Sequence, residues 1–103
     1  MEKSSKNVSN VIRPPGTPEA RKALEKSRRE FDTRARNTST EFDVRKDAWL
    51  KAFIIDRILR AKEPINAASL LEELRSSSPS PISDGEFDNA REIVALDLKE
   101  VVA

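Results

Sequence analysis

The stretch DAWLKAFIIDRILRAK, Asp47 to Lys62, decides the fold. Trp49, Leu50, Phe53, Ile54, Ile55, Ile58 and Leu59 cover most of a helical circumference, and Ala48, Ala52 and Ala61 fill the gaps between them. Lys46, Asp47, Lys51, Asp56, Arg57 and Arg60 alone interrupt it. A helix that is apolar nearly all round must be buried on several sides. At 100° per residue Ala48, Ala52, Ile55 and Leu59 form one arc. Trp49 and Phe53 fall on a second flank, and Leu50, Ile54 and Ala61 on a third.

Two helices follow. Pro64 stops the first run, and Asn66 is placed to cap the next, with Ile65 and Leu70 spaced as a hydrophobic staple. Ala67, Leu70, Leu71 and Leu74 recur at i, i+3, i+4 and i+7, the signature of a one-faced amphipathic helix. Arg75-Ser76-Ser77-Ser78-Pro79-Ser80-Pro81 has loop composition. Ser83 with Glu86 then spells a capping box, and Ile82 with Phe87 a second staple. Phe87, Ala90, Val94, Leu98 and Val101 run down one face of the last helix.

Upstream, Asn37-Thr38-Ser39-Thr40 breaks the periodicity, and the Thr38–Glu41 spacing suggests a helix start near Ser39. A competing reading makes residues 40–45 a short strand, because Phe42 and Val44 alternate with charged residues. Before the break, Thr17-Pro18-Glu19 combines an N-cap, a proline at the first helical position and an acid at the positive dipole end. The helix it opens runs to Arg36 and is laced with opposite charges four residues apart: Arg21–Glu25, Glu25–Arg29, Lys26–Glu30, Arg28–Asp32, Glu30–Arg34 and Asp32–Arg36. Its large apolar residues are Leu24 and Phe31, so it either projects into solvent or lies on something through those two. Residues 1–16 have little apolar surface and read as disordered. The expected architecture is therefore all-α: a disordered basic tail (1–16), a charged basic helix or arm (17–37) and a small three-helix domain (38–103).

Composition excludes several functions. The 103 residues contain no Cys, His or Tyr and two Gly. That removes thiolate and imidazole chemistry, Cys-based zinc sites and glycine-rich phosphate loops. Asp84-Gly85-Glu86-Phe87-Asp88 begins like a calcium loop, but Asn89 and Ala95 stand where that loop needs Gly and Glu. The expectation is a non-enzyme with no cofactor, no metal site and no small-molecule substrate. Met1 to Asn10 lacks the apolar segment of a secretory signal. Trp49 to Leu59 is too short and too charged to span a bilayer, which needs about 20 apolar residues. A cytoplasmic or nuclear location without membrane attachment is the default expectation.

Charge is unevenly spread: ten Lys/Arg against five Asp/Glu in residues 1–40, nine against thirteen in 41–103. The helix order also describes a helix-turn-helix or winged-helix core, and the strand reading a ribbon–helix–helix dimer. Yet the last helix offers Asn89, Arg91 and Lys99 against six acids, and phosphate would repel it. The leading expectation is a regulatory or adaptor protein that binds another protein, or a second copy of itself. The binding residues are Trp49, Phe53, Leu50 and Ile54, with Leu24 and Phe31 from the charged helix. Covering three flanks with two short helices is difficult unless the charged helix folds back over one of them with Leu24 and Phe31, and Trp is the residue most enriched at interface hot spots. The alternative is a DNA-binding regulator gripping phosphate with Arg21, Lys22, Lys26, Arg28, Arg29, Arg34 and Arg36. Ser78-Pro79, Ser80-Pro81 and Thr17-Pro18 match the pattern of proline-directed phosphorylation, which is also ordinary loop chemistry.

Overall fold

A computed structural model describes residues 11–78 and 80–102, with side chains as far as Ile93. It contains four helices and one two-stranded ribbon, in the order β1 (Val11–Ile12), α1 (Pro18–Arg36), α2 (Phe42–Arg60), β2 (Ile65–Asn66), α3 (Ala67–Ser77) and α4 (Asp84–Val102). The fold is all-α apart from that ribbon.

Helix starts follow the capping chemistry. Thr17 Oγ1 accepts from the Ala20 N–H at 3.1 Å, with Pro18 inside the first turn. Asn66 Oδ1 accepts from Ser69 at 3.0 Å. Ser83 and Glu86 close the reciprocal box, Glu86 N–H to Ser83 Oγ at 3.1 Å and Ser83 N–H to Glu86 Oε1 at 3.0 Å. Both staple pairs, Ile65 with Leu70 and Ile82 with Phe87, belong to the core.

The start of α2 differs from both readings of the sequence. Residues 42–60 are helical, so neither the strand at 40–45 nor the ribbon–helix–helix arrangement exists. The Thr38–Glu41 box does not form either, because Glu41 is itself the N-cap and makes no side-chain capping bond. Asn37 Oδ1 instead accepts from the Ser39 N–H at 3.0 Å, turning the chain locally. Arg45 Nε donates to the Thr40 carbonyl at 3.1 Å and holds the approach to the helix. Phe42 and Val44 stand on different sides of the first helical turn, and both are exposed there.

Helix α2 is the centre of the molecule. Ala48, Leu50, Ala52, Ile54, Ile55 and Ile58 are buried on it, and α1, α3 and α4 all pack against it. Of the two arrangements open to the charged helix, the structure has the packed one. Helix α1 lies along α2, with Ala20 fully buried and Leu24 1% exposed. Arg21, instead of pairing with Glu25, donates to the Leu59 carbonyl at 2.9 Å near the C-terminal end of α2. Of the six pairs expected along α1, Asp32–Arg36 is closed, at 3.3 Å. At the interface Lys51 is buried, paired to Asp47 at 2.6 Å, with its Nζ 5.4 Å from the Phe31 ring centre.

Of the tail expected to be disordered (1–16), residues 1–10 lie outside the described residues, and the ordered ribbon at Val11–Ile12 corrects the expectation there. Val11 and Ile12 pair antiparallel with Asn66 and Ile65, and Ile12 packs against the core. Backbone groups at Ile65–Asn66 and an apolar wall beside them supply the order that local composition lacked. The α4 face expected from Val94 onward lies outside the described side chains. No helix among the described residues is long and apolar enough to cross a membrane.

Candidate protein-binding surface

Extending α2 back to Phe42 creates a face that begins before Asp47. Phe42, Lys46, Trp49 and Phe53 recur at i, i+4, i+7 and i+11 and so share one side of the helix. Trp49 and Phe53 are in tilted contact, with ring centres 5.3 Å apart and planes at 46°. The Arg57 guanidinium lies 4.7 Å over Phe53, and that of Arg45 lies 5.9 Å from Phe42. The apolar rings are thus edged by cations whose stems shield them without covering them.

Two clefts of about 170 Å³ open on either side of Trp49. The first has Phe42, Trp49 and Ala35 as its apolar part, Arg45 and Lys46 beside them, and Ser78 and Ser80 of the α3–α4 loop on the far wall. The second runs between Arg28 and Asp32 of α1 and Trp49, Ala52, Phe53 and Asp56 of α2. Trp49 is the wall common to both. Phe42 is 52% exposed and Val44 43%, high for large apolar side chains.

Lys46 locks this face to the rest of the fold. Its Nζ donates to the Pro81 carbonyl at 2.6 Å and pairs with Glu86 Oε2 at 3.1 Å. The Ser83 backbone N–H, and then Lys46, hold the Glu86 carboxyl below its ordinary value of 4.5. From the other side Arg75 clasps the same loop, Nε to the Ile82 carbonyl at 3.0 Å and Nη2 to Asp84 at 2.7 Å. The loop wall of the first cleft is therefore held from two directions.

The six apolar residues expected to bind a partner divide into two groups. Leu24, Leu50 and Ile54 are core residues, at most 1% exposed, and in this conformation have no surface to offer a partner. Leu24 is buried where α1 packs along α2, and Leu50 and Ile54 belong to the core cluster that the helices share. Trp49, Phe53 and Phe31 are half-buried, packed on the core with one side open. Phe42 and Arg45 complete the surface and were missed. The Phe42–Trp49 heptad spacing is the available signal, obscured by the competing strand reading of residues 40–45.

The seven basic residues are not gathered. Arg21 is bonded to Leu59, Arg28 lines the second cleft, Arg36 is paired to Asp32, and Arg34 lies 5.6 Å from the Phe31 ring. Lys22, Lys26 and Arg29 share an exposed stripe at i, i+4 and i+7, with Glu19 and Glu30 interleaved. Among the described residues no cluster of three or more His, Cys, Asp or Glu is arranged to hold a metal ion. Asp84 and Glu86 sit instead in the first turn of α4. Comparisons with protein-family models, with curated proteins and with solved structures find no match to this chain.

Proposed function

We propose that this chain is a non-catalytic helical regulatory or adaptor protein that acts by binding another protein, through the Phe42–Trp49–Phe53 face of α2. One observation carries the reading. An exposed phenylalanine and a half-open tryptophan, one heptad apart on a helix fixed at the centre of the core, flank a preformed apolar cleft. A rigid aromatic anchor edged by polar groups is the usual composition of an interface hot spot. A second copy of the chain is one such partner, and a different protein is the other.

The test uses the full chain and a Phe42→Asp variant, whose substitution lies at an exposed position and leaves the core intact. Proteins captured from native lysate, and self-association measured by sedimentation, are compared between the two. The reading expects a captured protein or a dimer that the variant loses by tenfold or more in affinity. Capture and self-association equal in the two proteins contradict it.

The alternative, a nucleic-acid binder, is supported by the Lys22–Lys26–Arg29 stripe. The interleaved acids oppose it. Salt separates the two readings, since phosphate binding falls steeply with ionic strength and apolar burial does not.

A further inference from the structure

Three Ser/Thr-Pro dipeptides lie in the chain, at Thr17-Pro18, Ser78-Pro79 and Ser80-Pro81. The hydroxyls are in different states. Thr17 Oγ1 caps α1 through the Ala20 N–H. Ser78 Oγ donates to the Ser80 carbonyl at 2.7 Å and accepts from the Ser80 N–H at 3.2 Å, closing a local turn. Ser80 Oγ enters no hydrogen bond among the described residues. Ser80 also precedes a proline and follows the end of α3, which sets it in non-helical backbone.

Cations stand opposite. Ser80 lines the same cleft as Arg45 and Lys46. Lys46 Nζ already reaches the carbonyl of the next residue, Pro81, at 2.6 Å. Arg45 uses Nε on Thr40 and has no carboxylate partner among the described residues, which leaves its Nη groups for an anion.

We propose that Ser80 is a phosphorylation site for a proline-directed kinase, and that Arg45 and Lys46 clasp the phosphate across the first cleft. In the reaction the γ-phosphoryl group of ATP passes to Ser80 Oγ. The new P–Oγ bond forms, the bond to the bridging oxygen of ADP breaks, and the hydroxyl proton leaves to the base of the kinase. The product carries about −1.5 to −2 charge and three acceptor oxygens where two cations converge. It fills the cleft beside Trp49, so modification would close the face used for binding. The phosphate site itself does not depend on the binding proposal.

The full chain is incubated with a proline-directed kinase and magnesium ATP, and modified residues are mapped by mass spectrometry. Folded protein should take up phosphate at Ser80 at least tenfold faster than at Thr17 or Ser78, and Ser80→Ala should lose that uptake. The titration of the phosphoserine ³¹P resonance is then followed. Its midpoint should lie below the ordinary value near 6 and move back toward it in Arg45→Gln and in Lys46→Gln, each modified in the same way. Arg45→Gln disturbs the α4 anchor least and guards against loss of fold. Uptake confined to Thr17 or Ser78, or absent altogether, overturns the site. Uptake at Ser80 with a midpoint near 6 in all three proteins overturns the clasp. Neither result bears on whether Phe42→Asp loses a partner.

Discussion

At the scale of single residues, Lys46 and Glu86 join the aromatic face of α2 to the start of the last helix. Glu86 accepts from the Ser83 backbone and from Lys46, and both bonds favour its charged form. Its folded value is therefore depressed below that of the unfolded chain. Stability from this source is complete above the unfolded value and is lost as pH falls through the folded one. Glu86→Gln keeps the shape and removes the charge. The gap in unfolding free energy between wild type and Glu86→Gln should narrow steadily from about pH 6 to about pH 3, followed by urea denaturation. A gap independent of pH would mean that the carboxylate does not act as described. The caps are simpler. Asn66→Ala should cost about 1 kcal/mol, since it strips the Ser69 N–H of its acceptor.

At the scale of elements, the starts of α1, α3 and α4 were legible because each rests on contacts within four residues. A Thr, Asn or Ser beside its own helix needs no tertiary knowledge, and neither does a one-faced stripe such as Leu70, Leu71 and Leu74. The start of α2 was not legible. Phe42 and Val44 are exposed, so they carry no periodic core signal, and the turn before them depends on Asn37 and Thr40 in place of Thr38. The apolar girth of α2 also calls for cover on three flanks, and the sequence left open whether the charged helix folds back to supply part of it or projects into solvent. That answer hinges on Leu24 and Ala20, two small contributions that matter only once α2 is beside them. Burial along α2 sorts its side chains by consequence. Ile55 is 1% exposed and Phe53 is half-open beside Arg57. Ile55→Ala should cost roughly 2–5 kcal/mol, and Phe53→Ala should cost less despite removing more atoms. Thermal melts of both variants check the order, and the reverse order would place Phe53 in the core and remove it from the proposed binding face.

At the scale of the whole molecule, α1, α3 and α4 pack around α2 as one unit, and the aromatic face is what this packing leaves uncovered. A charged helix such as α1 is marginal alone, and its order here comes from Leu24, Phe31 and the Arg21–Leu59 bond. The direct measurement is native-state hydrogen exchange of the α1 amides around Leu24 and Arg28, set beside those of Ile54 and Ile55. Both sets should open with the same free energy and respond equally to denaturant, as one folding unit. Exchange of the α1 amides at the rate of an unprotected helix, with Ile54 and Ile55 still protected, would contradict it.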